Sequence, residues 1–258
     1  MIAPKKKAEE IYSEVAKQLN EFTRRNAPIA SNELAEAKRL AEKLMYDEEF
    51  KSLGYSCLGM ISALQGNEDD CVNFFDKYVQ FGTAPNISLY CSALSFLGEI
   101  KKSCCQIDAY IESGLIDPQS LLVCLKLCSM YGQISRGTYF MEYLEKLRLT
   151  FTKYDGYQAI IDSFKTWSII GIKEDEVVDF LDYVFKFLFT LKTDLRKPHF
   201  FVDEEDNEIL FIIPDHSSFD EQTKKNRLLD KYILKYLDKH PNFPVTAISF
   251  IIGDYVDD

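Results

Sequence analysis

The sequence has few of the features that announce a chemistry. No stretch reaches the ~18 uninterrupted apolar residues of a membrane-spanning helix, and the first residues, Met1 to Lys7, run straight into charged sequence without an apolar signal core. A cytosolic protein that does not enter a membrane is therefore expected. Phosphate loop, dinucleotide fingerprint, HExxH and GxSxG are all missing, which removes the short signatures of nucleotide, zinc-protease and serine-hydrolase chemistry. Histidine is scarce: His199, His216 and His240 are the only three.

Cysteine is present without the pattern that gives it a role. The seven cysteines (Cys57, Cys71, Cys91, Cys104, Cys105, Cys124 and Cys128) include no CxxC pair, and none lies within 70 residues of a histidine. Cys124 and Cys128 share a helix face at i,i+4, which supplies two metal ligands in other settings. The missing ligand pairs favour packing instead, since a free thiol behaves as a small hydrophobe. No metal and no cofactor are expected, and a reducing compartment follows.

Positive charge is lacking in one place above all. Residues 198–258 carry six Lys or Arg against thirteen Asp or Glu, a net of −7 out of −11 for the whole chain. Nucleic-acid binding rests on Lys and Arg neutralising phosphates, so direct nucleic-acid binding is not expected there.

What is present is a helical period. Gly66, Gly98 and Gly132 are spaced 32 and 34 residues apart, with Gly171 a further 39 on. Each follows an apolar stretch at helical spacing and precedes a second one, the pattern of stacked helical hairpins. The first hairpin pairs a helix striped by Ile11, Val15, Leu19 and Phe22 with one capped at Ser31 and striped by Leu34, Ala37, Leu40, Ala41 and Leu44. Further hairpins are expected over about Glu48–Phe81, Asn86–Glu112, Asp117–Thr150 (Asp117 as cap, Pro118 as first helical residue) and Tyr154–Leu191. An ordinary helical bundle with coincidental glycine spacing is the alternative.

The second hairpin resembles a tetratricopeptide repeat. It has Tyr55, Leu58 and Gly59 before its turn glycine, and small Cys71 and aromatic Phe75 after it. The third (Tyr90, Cys91, Ser103, Ile107) and fourth (Gly137, Met141) match less closely, so the resemblance covers roughly residues 50–150. It implies a right-handed array of antiparallel helix pairs whose first helices line a concave groove.

After residue 192 the period turns to alternation. His199 to Val202 and Glu208 to Ile213 read as strands around an acidic turn, a helix runs from Phe219 or Asp220 to about Lys239, and Val245 to Ile252 reads as a third strand. The expected fold is mainly α: about five helical hairpins in a tetratricopeptide-like solenoid over residues 1–194, then a small acidic ββαβ domain over 195–258.

Candidate chemistry is sparse. The acidic turn Asp203–Asp206 lacks metal-loop spacing and reads as a solvated hairpin turn. Asp215, His216, Ser217 and Ser218 set catalytic residue types side by side, but relays are assembled from distant segments, so a loop and helix cap fits better. An enzyme site, if present, would sit at His199, His216 and the nearby carboxylates. In the repeat register Ser56, Met60 and Ala63, then Ser88, Ser92 and Ser95, then Leu122, Lys126 and Ser129 would face the groove, unless those faces are merely solvated or covered by another subunit. The leading expectation is a non-enzymatic interaction module (adaptor, chaperone or immunity type) gripping a partner protein there, or a second copy of itself. The competing one is an acidic inhibitor, of the anti-defence type, that uses Asp203, Glu204, Glu205 and Asp206 to cover the basic surface of a nucleic-acid-binding enzyme.

Overall fold

The computed structural model describes residues 4–25, 27–81, 87–114, 117–147, 156–203 and 205–253, and of residues 4–6, 118 and 119 the backbone alone. Asn86, Thr150, Tyr154 and Glu204, used above as hairpin limits or in the acidic turn, lie outside them. The chain is mainly α-helical with a small mixed sheet near its C-terminal end. It divides into two compact units, Met1–Leu97 and Gly98–Asp258.

The first unit holds α1 (Pro4–Arg24), α2 (Ser31–Leu44), α3 (Lys51–Leu64), α4 (Glu68–Phe81) and α5 (Ile87–Phe96). The α1 stripe is buried at Val15, Leu19 and Phe22, and Ala8 packs with Leu44 and Phe50 into one core cluster. Ser31 is the first helical residue of α2 and not its cap. Ala30 holds that position, and Glu33 reaches back to accept its N–H at 3.0 Å. Arg25 selects this arrangement by donating to both Glu33 oxygens, at 2.9 and 3.0 Å, and to Glu21.

The α3–α4 turn shows why the glycine period exists. Gly66 takes φ +74°, so Asn67 N–H reaches back to Ser62 O at 2.9 Å and Gly66 N–H to Ala63 O at 3.0 Å, closing the end of α3 in the left-handed cap that favours glycine. Asn67 then caps α4, accepting the Asp70 N–H, and Glu68, Asp69 and Asp70 set negative charge against the helix N-terminus. One turn in, a Cβ on Gly59 would lie 2.5 Å from the Phe75 ring, so the two helices approach as closely as their backbones allow. Phe75 in turn stacks on Tyr90 of α5 at 4.7 Å.

The second unit begins with α6 (Ile100–Ser113), α7 (Pro118–Met130), α8 (Ile134–Lys146), α9 (Tyr157–Ile170) and α10 (Glu174–Thr190). Asp117 caps α7 as expected, accepting the Ser120 N–H at 2.9 Å. The cap at Gly132 repeats that at Gly66, with Gln133 N–H on Cys128 O at 2.9 Å. Gly137 of α8 lies under Phe164 of α9 as Gly59 lies under Phe75. Trp167, fully buried, donates its indole N–H to Ser129 O at 2.8 Å.

The unit ends with β1 (His199–Asp203), β2 (Glu208–Ile213), α11 (Phe219–Leu237) and β3 (Ile248–Ile252). The sheet order is β1-β2-β3, with β1 antiparallel and β3 parallel to β2, so α11 is the crossover of a βαβ unit. The third strand starts three residues later than the alternation predicts. After Pro244, Val245–Ala247 winds into a 3-10 turn, and Ala247 N–H bonds Pro244 O at 3.2 Å.

Candidate functional site

The serines expected to line a groove lie mostly in the interior. Ser56, Met60, Ser88 and Ser95 in the first unit and Ser129 in the second are buried by their own chain, so they present no open wall to a partner. Nine of the fourteen residues of α3 and seven of the ten of α5 are buried, which makes these helices interior layers. Their hydroxyls are satisfied within the helix: Ser56 donates to Leu53 O at 2.8 Å, Ser95 to Cys91 O at 2.9 Å and Ser129 to Lys126 O at 2.8 Å. Of the expected set only Ser92 and Leu122, both half-buried, and Lys126 reach solvent. The half-exposed face of the α3–α4 hairpin is aromatic instead. Phe81, 52% exposed, stacks on Tyr55 at 5.8 Å, and Tyr55 meets Phe74 at 6.4 Å. Lys51 lies over Phe81, and Lys77 over Tyr55 and Phe74.

The acidic turn is exposed at Asp203, Glu205 and Asp206. Asp203 serves its own backbone, its carboxylate accepting the N–H groups of Glu205 at 2.9 Å and Asp206 at 3.1 Å. Asn207 completes the reversal at φ +53°.

The catalytic-looking run is tied into the scaffold. The buried Asp215 carboxylate takes the Lys225 ammonium at 2.8 and 2.9 Å and the Ser217 hydroxyl at 2.5 Å. Gln222 donates to the Asp215 and Ser217 carbonyls, and Ser218 caps α11. His216 is exposed and its Nε2 lies 3.9 Å from Asp194, which Arg196 grips. No Ser–His–Asp chain is formed among these residues: the serine meets a carboxylate already paired with lysine, and the histidine lies nearest a different one. His199 stands on the sheet, 6.4 Å from the Phe201 ring, and His240 stacks on Tyr236 at 4.2 Å. The thiols are equally withdrawn. Burial pushes Cys57, Cys71 and Cys104 up to about 12, so they hold their protons. Cys105 alone is exposed. Among the described residues no three His, Cys, Asp or Glu side chains are grouped to hold a metal.

The unusual surface is the sheet itself. On the inner face Ile209, Phe211, Ile213, Ile248 and Ile252 are buried, and α10 covers them through Phe185, 5.7 Å from Phe211, and Phe180, 6.0 Å from Phe250. α11 packs on α10 through Tyr232, stacked on Phe187 at 3.9 Å. The register sets the outer face in three rows: Asp203 and Glu208; then Phe201, Leu210 and Ser249; then His199, Ile212 and Ile251. Phe201 is 37% and Ile251 47% exposed, with Leu210 and Ile212 half-buried. Alternation alone does not reveal this face, although the continuous apolar run of Ile209–Ile213 is the signature of a strand meant to be covered on both sides. No protein-family model, curated protein or solved structure matches this chain.

Proposed function

We propose that the chain is a non-enzymatic protein–protein interaction module, with a tetratricopeptide-like helical series as scaffold and the outer sheet face as docking surface. The close approaches at Gly59 and Gly137, each beneath an aromatic ring of the following helix, support the repeat-like reading. The observation that carries the function is the outer face. A parallel strand pair normally has both faces covered, yet here Leu210, Ile212 and Ile251 of the parallel β2–β3 pair, with Phe201 of the antiparallel neighbour β1, meet solvent beside exposed carboxylates. A second reading, a partner gripped by the first unit, rests on the strip of Phe81, Tyr55 and Phe74 with its two lysines.

The test is a photo-crosslinking side chain placed in native-host cells at Ile251, at Phe81 or at Ser92. A discrete adduct to another protein from Ile251 supports the docking face, and one from Phe81 or Ser92 alone moves the site to the helices. If none gives an adduct while His216→Ala, stable and folded, abolishes biological activity, the interaction reading is lost to the enzymatic one.

A further inference from the structure

We infer that the outer sheet face docks a basic, amphipathic protein segment, with an arginine of the partner set between Asp203 and Glu208. This rests on the interaction reading above and names the chemistry of its partner. Asp203 and Glu208 are direct cross-strand partners at one end of the open face, and both are exposed. Like charges facing each other across a strand pair destabilise the pair. Among the described residues neither carboxylate has an ion pair within the chain, and Glu205 and Asp206 add further negative charge at the same end. The Asp203 carboxylate is oriented by the N–H groups of its own turn, and with Glu208 it leaves this end of the open face negative, a charge that an outside cation would complement.

The rest of the face sets the shape of that partner. Rows along a strand repeat every two residues, about 6.8 Å. From the carboxylate end, the first apolar row is Phe201 and Leu210, and the second is Ile212 and Ile251. A matching segment presents two apolar side chains in succession and then a cation one row beyond. Arginine suits that place because its planar fork engages paired carboxylates, whereas lysine offers a point charge. A second copy of the chain fits poorly, since it would bring another acidic turn and another net −7 segment to the contact. Nucleic acid and anionic membrane are repelled by the same charge.

The probe is a soluble peptide with Leu, Leu and Arg at successive alternate positions (Leu-Ser-Leu-Ser-Arg), which puts all three on one face of an extended segment, titrated into the full chain by fluorescence anisotropy against an otherwise identical peptide with Lys in place of Arg. We expect saturable binding, tighter for the Arg peptide by several-fold. It should weaken about tenfold in Glu208→Gln and about tenfold in Ile251→Asp, with Asp203 left intact to hold its turn. In the free chain Glu208→Gln should raise the unfolding midpoint by about 1 °C, because the cross-strand repulsion is gone. Binding that survives Ile251→Asp unchanged is diffuse charge attraction and overturns the inference, as does equal affinity for the Lys peptide or no saturable binding. Self-association that Ile251→Asp abolishes overturns it in favour of a second copy. Adducts from Ile251 in cells, with no binding of the Arg peptide, would leave the docking face standing and remove only the basic partner.

Discussion

The helical layers and the sheet treat polarity in opposite ways. In α3, α5 and α7 the chain turns hydroxyls and thiols inward: Ser56, Ser88, Ser95, Ser129, Cys57, Cys91, Cys124 and Cys128 are all buried. In the sheet it turns Phe201 and Ile251 outward. The inward serines cost little, because a hydroxyl that donates to a carbonyl three or four residues back is satisfied before its helix packs against anything. Small side chains also let helices cross closely, as glycine does at Gly59 and Gly137. The outward phenylalanine and isoleucine have no such internal compensation, since apolar surface in water stabilises nothing until something covers it. The helical interior is therefore finished within its own chain, and the sheet is finished on one face only.

The comparison breaks most severely where a buried charge is concerned. Asp215 joins the end of β2 to α11 through Lys225, whose side chain is also largely buried. Asp215→Ala leaves that ammonium without a partner, at a cost of about 3–5 kcal/mol, which lowers the midpoint by about 10 °C. A scaffold role predicts that Asp215→Ala with Lys225→Met recovers most of the loss in a thermal melt. A catalytic role predicts a stable but inactive double variant.

A middle-sized effect tests the close packing of the helices. A Cβ on Gly137 would lie 2.1 Å from the tip of the Phe164 ring, which is itself buried. Gly137→Ala should destabilise by about 1–3 kcal/mol in denaturant unfolding, and Phe164→Leu in the same chain should return part of it. Ile251→Ser on the open face should stay within about 0.5 kcal/mol of the parent. Equal costs at the two positions would mean that the outer face is not open.

The same contrast explains what was legible. Period and caps are local, so the glycine turns, the Asp117 cap and the ββαβ order could be read along the chain. Burial of Ser56 or Ser129 could not, because the residue type says polar while the bond to Leu53 or Lys126 is made within one turn. The Asp215–Lys225 pair spans ten residues with no motif, and Asn226, which holds both the N–H and the carbonyl of Ile252, reaches 26. Ala30 and not Ser31 caps α2 because Glu33, held by Arg25 eight residues away, accepts the Ala30 N–H, a contact that no residue type at the cap announces.

A pH-dependent effect smaller than that of the buried charge concerns the thiols and sharpens the inward half of the comparison. At pH 8 a thiol reagent should label one cysteine, Cys105, in the native chain and all seven in denaturant, since the other six are buried. The native state keeps Cys57, Cys71 and Cys104 protonated up to about 12, whereas an unfolded thiol ionises near about 8.5. The unfolded chain releases its protons first, so their contribution is full below about pH 8.5 and is lost as pH rises toward 12. At about pH 9 the loss is on the order of 1 kcal/mol for each thiol. Replacing Cys57 with Ala should flatten that slope by one thiol, measured as the midpoint against pH. A slope left unchanged by that substitution would place Cys57 in contact with water and undo the picture of a helical interior closed within its own chain.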